Sequence, residues 1–480
     1  MDRLSDMNTS AIEAGRYIKG ILQMFFRKEG THSLRSRLAR GAAGIFALKV
    51  TSIGLFFIIG LLLARILGTA GYGTYSYVLA WVGVLSVPAV LGLDRMLVRD
   101  IASYHARSEW CMIKGLLHWS NKIVLLVSLA IVFLAAIIAI ILSSFSVTSM
   151  LVSFWVSLLI LPFASLTRLR QASLQGFHRV VQGQLPELLI QPMLMLVLTG
   201  IAYFFWERCL TAQGAVGINV VTVVITFVVG VQFLLKTLPK DVKETSPAYQ
   251  ARIWLRSALP LMFISGMQII NTHTDIIMLG TIKGAEAAGI YSAVNRGAVL
   301  ITFVLFAVNA PLAPVISSLY ASRDMKQLQR VITKSARVIL LCSLPIGISL
   351  IIFRNWFLTI FGEEFTQGET ALIILSIAQL FSAAMGSVGL SLIMTGHERN
   401  TAIIAGSSAI LNVVLNVILI PKWGLEGAAT ATACNIIIRN ILSAIWVYKK
   451  LGISSTAMGE IGLFKKKSII NNELLRKRYE

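Results

Sequence analysis

Twelve mostly apolar stretches, each about 20 residues or more, run along the 480-residue chain at roughly 41–66, 74–93, 122–143, 149–167, 186–206, 213–235, 257–281, 286–315, 337–353, 370–395, 401–421 and 425–447. A helix needs about 20 such residues to cross ~30 Å of hydrocarbon. Alternating strands are absent, and an unpaired backbone group in lipid costs several kcal/mol, so helices rather than a barrel are expected. Only 14% of the residues are charged and the mean hydropathy is +0.77, against roughly 25% charge in a soluble domain. A soluble enzyme, a secreted scaffold and a nucleic-acid binder are excluded on this balance.

The net charge of +21 is a topology signal, because Lys and Arg accumulate on the cytoplasmic side of a membrane protein. With twelve spans, 35 basic residues fall in the two tails and the even-numbered connections, and only Arg208, Lys283, Arg354 and Lys422 fall in the opposite loops. Arg168, Arg170 and Arg179 are assigned to the connection between spans four and five. Both termini are therefore expected in the cytoplasm, in a multi-pass plasma-membrane protein. No cleavable signal peptide is visible, since the first apolar run starts some forty residues in and is long enough to span. Residues 1–40 form a basic tail in which Tyr17, Ile18, Ile21, Leu22, Phe25 and Phe26 recur at helical spacing, as in a helix lying on an anionic membrane surface.

The chain repeats internally. Leu67-Gly68-Thr69 and Ala70-Gly71-Tyr72-Gly73-Thr74-Tyr75-Ser76 return as Leu279-Gly280-Thr281 and Ala288-Gly289-Ile290-Tyr291-Ser292. Leu174-Gln175-Gly176-Phe177-His178-Arg179 returns as Met394-Thr395-Gly396-His397-Glu398-Arg399, and Gly214-Ala215-Val216-Gly217 as Gly424-Leu425-Glu426-Gly427. Six helices per half give both halves the same orientation, an arrangement that builds a transporter by rocking two bundles about a central cavity. The expected fold is an all-α polytopic membrane protein with 12 transmembrane helices in two parallel six-helix repeats around that cavity. Its parts are the tail 1–40, an N-terminal bundle 41–235, a cytoplasmic linker 236–256, a C-terminal bundle 257–447 and a basic cytoplasmic tail 448–480.

Across about residues 40 to 450 the chain resembles the polysaccharide-unit (Wzx-type) flippases of the multidrug/oligosaccharidyl-lipid/polysaccharide exporter superfamily. The resemblance is carried by Ala64-Arg65-Ile66-Leu67-Gly68 through Tyr75-Ser76, Gly92-Leu93-Asp94-Arg95-Met96-Leu97-Val98-Arg99, Thr274-Asp275-Ile276-Ile277-Met278-Leu279-Gly280, Gly289-Ile290-Tyr291-Ser292-Ala293 and Gly424-Leu425-Glu426-Gly427-Ala428-Ala429. It implies a bacterial inner-membrane protein that turns an undecaprenyl-pyrophosphate-linked oligosaccharide from the cytoplasmic to the outer leaflet for O-antigen, capsule or exopolysaccharide synthesis. The implied partners are that polyprenyl-pyrophosphate-linked oligosaccharide, membrane lipids, and a polysaccharide polymerase or glycosyltransferases at the cytoplasmic face. Lipid II flippases of the same superfamily typically carry two further helices, which this chain lacks, and its N-terminal extension is longer than the family usually shows.

Burying a charge at the bilayer centre costs about 2.5 to 3.5 kcal/mol on insertion scales, so ionisable residues inside the spans are candidates for function. Arg296, beside Asn295, lies near the middle of span eight and either faces the cavity or bonds a neighbouring helix. Lys49 can snorkel toward the cytoplasm, and Arg439, beside Asn440, lies inside span twelve. Arg65 is read as an interfacial anchor. Together these make a cavity richer in cations than anions, suited to a pyrophosphate that Arg grips bidentately and Lys meets as a point charge. Asp275 is the clearly embedded carboxylate, close in sequence to Asn271 and His273. It either pairs with a cation such as Arg296 or binds a proton or sodium ion for coupling. Asn412 and Asn416 share a helix face suited to interhelical hydrogen bonds, and Glu187, behind Pro186, suits a helix first turn.

The alternatives are an ion-coupled small-molecule or drug exporter of the same superfamily and a membrane polymerase acting on lipid-linked sugars. Cationic drugs call for several embedded carboxylates, and a polymerase for a large external loop. No Walker motif is present. The cysteines Cys111, Cys209, Cys342 and Cys434 form no CxxC pair. No cofactor, no metal and no enzymatic activity are expected, and a monomer is the default.

Overall fold

A computed structural model describes residues 34–142, 149–205, 210–457 and 459. The expected surface helix near Tyr17 and most of the basic C-terminal tail lie outside these residues. All regular structure among the described residues is helical. In chain order the helices are α1 (Leu34–Val90), α2 (Leu93–Ala106), α3 (Trp110–Leu142), α4 (Ser149–Gly176), α5 (Val180–Phe205), α6 (Ala212–Thr237), α7 (Lys240–Glu244), α8 (Ala251–Ile282), α9 (Ala285–Ala321), α10 (Met325–Ile352), α11 (Arg354–Phe361), α12 (Glu369–Met385), α13 (Val388–Met394) and α14 (Glu398–Leu451). Among the described residues ten helices are long and apolar enough to cross a membrane.

The two longest, α1 and α14, are each bent at one non-helical residue, Gly68 (φ 65°, ψ −176°) and Gly424 (φ 55°, ψ −122°). Only glycine enters such conformations without a Cβ penalty. The bends fall at the joints expected between spans one and two and between spans eleven and twelve. A third glycine with positive φ, Gly386, ends α12, so the expected span 370–395 is divided between α12 and α13. Inside α5 the turn Pro186–Ile190 is a π-helix; proline has no N–H to donate, and the ladder is re-formed around it.

Several helices extend beyond their apolar stretches. α3 starts at Trp110, α4 runs to Gly176 and α10 starts at Met325. The added turns carry Lys114, Lys122, Arg168, Arg170, Lys326, Arg330 and Lys334. These residues lower hydropathy yet are good helix formers, and no proline interrupts them. Arg168 and Arg170, assigned to a connection from the sequence, are helical residues of α4.

The helices before and after α7 meet along α1, α8 and α9. The tightest crossing joins α1 to α9, where a Cβ on Gly73 would stand 1.7 Å from the Ala285 carbonyl oxygen and one on Gly289 would stand 2.1 Å from that of Thr69. The two backbones touch. Around this crossing the Tyr77 and Thr281 hydroxyls are 3.2 Å apart, and Thr69 Oγ1 donates to Glu364 Oε2 at 3.1 Å. Arg65, expected as an interfacial anchor, donates to the carbonyls of Ile360 (2.6 Å) and Thr359 (2.9 Å) at the C-terminal end of α11, where a helix presents partial negative charge. Leu63, Tyr72 and Val78 are fully buried with Ile290, Leu358 and Phe361 from the other side of the seam.

At the opposite end the chain is tied down by backbone acceptors. Lys114 Nζ donates to the carbonyls of Lys243 (2.7 Å) and Thr245 (2.8 Å), and Ala248 N donates to Cys111 O (3.0 Å). Trp254 Nε1 donates to Tyr104 Oη at 3.1 Å. The expected linker 236–256 is therefore shorter, since α6 runs to Thr237 and α8 begins at Ala251. The start of the C-terminal tail is also packed: Ser454 N donates to Gln329 Oε1 (2.7 Å), and Arg337 Nε donates to Ala457 O (3.0 Å).

Gly73→Val is expected to force α1 and α9 apart at a cost of about 1–3 kcal/mol. The check is a disulfide between cysteines placed by Tyr77→Cys and Thr281→Cys, which should form readily with Gly73 intact and poorly with valine there, at equal protein yield.

Candidate functional site

A cavity of about 350 Å³ lies among α1, α4, α5, α6 and α9. Its polar lining comprises Tyr75, Thr167, Arg168, Glu187, Gln191, Asn219, Thr222, Thr226 and Arg296, and its apolar lining includes Phe56, Ile59, Leu79, Ile160 and Met195. Each polar group arrives by helix geometry. Residues 219, 222, 223 and 226 share one face of α6 at the 3–4 spacing of a helix stripe, and the π-turn sets the phase of Glu187 relative to Gln191.

Arg296 is contributed from across the seam. Its Nε donates to Tyr72 Oη at 2.6 Å and its Nη1 donates to the Phe56 carbonyl. The guanidinium carbon stands 5.9 Å from the Tyr72 ring centre. A Cβ on Gly60 would fall 2.1 Å from that carbon, so the side chain lies flat against bare backbone of α1. Arginine has five N–H donors, and these two contacts leave three without a hydrogen bond among the described residues, on a side chain that lines the cavity.

Arg168 and Glu187 face the same cavity within electrostatic reach of each other. No ion pair or hydrogen bond joins them among the described residues. Arg170, two positions on and therefore about 200° around the helix, does not line the cavity, although it too is within electrostatic reach of Glu187. It is 5% exposed, donates to the Phe227 carbonyl and lies 5.0 Å from the Phe227 ring centre.

Asp275 forms a second, separate centre. It is buried, and no cation pairs with it among the described residues. Its Oδ2 accepts from Thr432 Oγ1 at 2.5 Å and from Tyr291 Oη at 3.0 Å, and its Oδ1 accepts from Asn416 Nδ2 at 2.7 Å. Asn416 also donates to Asn412, and both amides are fully buried. A separate polar group lies on the same helices: Asn435 Nδ2 donates to Asn271 Oδ1 (3.0 Å), and Ser408 Oγ donates to Asn435 Oδ1 (2.5 Å). Asn416 Oδ1 has no hydrogen-bond partner among the described residues.

Of the residues expected to act together, Arg296 alone reaches the cavity. Asp275 bonds to neutral groups rather than to Arg296. His273, two positions before it, points instead toward α1, where a Cβ on Gly83 would stand 2.7 Å from its Nε2. Lys49 on α1 and Arg439 on α14 are exposed, Asn295 is half-buried, and none of the three lines this cavity. Sequence reasoning missed Thr167, Arg168, Glu187, Gln191 and Asn219. One signal for Arg168 was available: after 167 the chain continues without Gly or Pro until Gly176, so no stop ends the helix at the last apolar residue.

Ten long apolar helices among the described residues, with a cavity lined by charged and polar side chains between them, fit a multi-pass membrane transporter by class. The chain belongs to the family described as polysaccharide biosynthesis protein, whose profile matches residues 38–320; the MatE profile matches residues 260–418. It is 24% identical to a probable low-salt glycan biosynthesis flippase of Haloferax volcanii, over 85% of this chain and 83% of that protein. It is 22% identical to a candidate O-antigen transporter of Shigella flexneri, over 81% and 92%. Its fold matches an inward-facing multidrug resistance MATE family transporter of the MOP superfamily with a TM-score of 0.69, at 14% identity over 84% of this chain and 95% of that one.

The two arginines of α4 should separate on substitution. Arg170→Ala removes a buried charged donor and is expected to destabilise the protein by about 1.5–3 kcal/mol, seen as a lower melting temperature in detergent. Arg168→Ala should leave the melting temperature unchanged.

Proposed function

We propose that this protein flips an undecaprenyl-pyrophosphate-linked oligosaccharide repeat unit from the cytoplasmic to the outer leaflet of the bacterial inner membrane, supplying O-antigen, capsule or exopolysaccharide synthesis. The observation that carries this reading is Arg296, a guanidinium at the seam between the two helix groups that spends part of its donor set on α1 and, with the rest unbonded among the described residues, lines a cavity. A pyrophosphate is the anion suited to it, because several acceptor oxygens can take those donors together. The family and the names of the glycan flippase and O-antigen transporter relatives support a lipid-linked glycan as cargo. In this reading both termini are cytoplasmic. The bends at Gly68 and Gly424 turn ten helices into twelve passes, and two six-helix lobes rock about the Gly73–Gly289 crossing. Lys49, Arg439 and Asn295 meet the head group on its way in, while the polyprenyl chain trails in lipid.

Asp275 serves coupling. A carboxylate enclosed by Tyr291, Thr432, Asn412 and Asn416 is shielded from cations of the protein, and the unpartnered amide oxygen of Asn416 adds an oxygen donor. Such a cage can hold a proton or a sodium ion, the latter favouring hard oxygen donors. The same cage and the MatE match favour the second reading, an ion-coupled exporter of small molecules. Arg168 and Arg296 would repel cationic drugs from the cavity.

Deleting the gene and labelling cells with radioactive sugar separates these readings. Flipping predicts a complete lipid-linked unit protected on the cytoplasmic face from added glycosidase, with release restored by the intact protein. Arg296→Ala at matched abundance should restore it at least about tenfold less well. Asp275→Asn is expected to retain lipid binding and lose gradient-driven transport. Normal delivery of the unit to the outer face in the deleted strain would leave the exporter reading.

A further inference from the structure

The cavity is not uniformly cationic, since Glu187 lines it together with Arg168 and Arg296. Arg296 enters from the seam, whereas Thr167, Arg168, Glu187, Gln191 and Asn219 line it from the N-terminal helices. We propose that this N-terminal part is a sugar-ring subsite, built for the uncharged hydroxyls of a glycan and not for its phosphates. The assignment rests on the flippase reading above.

Four of its polar groups have nothing to bond. Thr167 is 4% exposed, and its Oγ1 is buried without a partner. Arg168, Glu187 and Gln191 make no hydrogen bond among the described residues. Asn219 donates its amide to Tyr75 Oη at 2.9 Å, leaving its Oδ1 unused. Thr222 and Thr226 turn their hydroxyl hydrogens back to carbonyls of their own helix, at 2.8 and 2.7 Å, so they offer lone pairs only. Arg168, Glu187 and Gln191 are half-buried where they line the cavity, so a ligand that both donates and accepts can bond to these three, whereas the Thr167 hydroxyl is enclosed behind them.

Sign decides which ligand this is. A phosphate drawn to Arg168 would meet the Glu187 carboxylate in the same cavity, and a cation drawn to Glu187 would meet two guanidinium groups. Neutral hydroxyls escape both penalties, since each donates to Glu187, Gln191 or Asn219 and accepts from Arg168 or Gln191. Ile59, Leu79 and Met195 supply an apolar wall for the carbon face of a ring. A volume of about 350 Å³ holds about a dozen waters at ~30 Å³ each, which is room for one or two sugar rings. The pyrophosphate then rests against Arg296 at the seam, with the sugar beyond it.

The test compares two lipids on the purified full-length protein in nanodiscs: undecaprenyl pyrophosphate, and its oligosaccharide-bearing form extracted from the deleted strain. Glu187→Gln should weaken binding of the glycan-bearing lipid about tenfold, the scale of one lost hydrogen bond to a charged group. It should leave the bare lipid within about twofold, while Arg296→Ala weakens both lipids. Equal loss on both lipids, or on neither, with Glu187→Gln would overturn the subsite, as would tighter binding of the bare lipid, which would mean that phosphate occupies this end. If the native protein binds neither lipid, the flippase reading itself falls. If it binds both equally well, the subsite alone falls.

Discussion

Arg296 lies flat on α1, and much of the arrangement around it follows from that contact. A guanidinium in a membrane interior must find acceptors. Here it finds the Tyr72 hydroxyl and the Phe56 carbonyl on the opposite helix group. The approach is possible because Gly60 carries no side chain. Farther along the same pair of helices, Gly73 and Gly289 bring the backbones into contact, and Arg65 holds the end of α11 by its carbonyls. The seam thus combines backbone contact and a few polar contacts with a buried apolar cluster in which Phe57 and Tyr72 meet Phe357, Phe361 and Phe365. Lipid tails offer apolar side chains as good an environment as another helix does, so close packing and hydrogen bonds add what the apolar contacts do not supply there.

The ionisable groups of the interior are sorted into two places with different partners. Near the N-terminal helices Arg168, Glu187 and Arg296 share one cavity with amides and hydroxyls. Among the C-terminal helices Asp275 is enclosed by four neutral side chains from α9 and α14. Separation matters for the coupling role proposed for Asp275, since a carboxylate neutralised by a fixed arginine would have no use for a proton or sodium ion. Asp275 keeps its distance from Arg296 for a geometric reason: it faces Tyr291 and Thr432, on the C-terminal side of the seam, whereas Arg296 reaches over to α1.

The membrane character, the approximate spans and the joints at Gly68 and Gly424 were legible because they depend on hydropathy over about 20 residues and on glycine, both local properties. Arg296 was legible as well, since a lone arginine deep in an apolar run stands out without any knowledge of its neighbours. Arg168 and Glu187 were not. One follows an apolar run and the other opens the next, and hydropathy alone assigns such residues to a connection. Only the continuation of α4 to Gly176 and the π-turn at Pro186 turn both into one cavity. Arg168 and Arg170 look equivalent in sequence, yet one faces that cavity and the other is packed on Phe227, because two residues along a helix are about 200° apart.

Which segments enter a bilayer is thus written in the order of residues, since transfer into hydrocarbon is summed over one segment at a time. Which charges meet is not, because that depends on the rotation of each helix about its axis and on the small residues that let two backbones touch. Asp275 and His273 are neighbours in the chain and serve different surfaces in the fold. Arg296 and Tyr72 stand 224 positions apart and share a hydrogen bond. Packing across the seam decides both pairings.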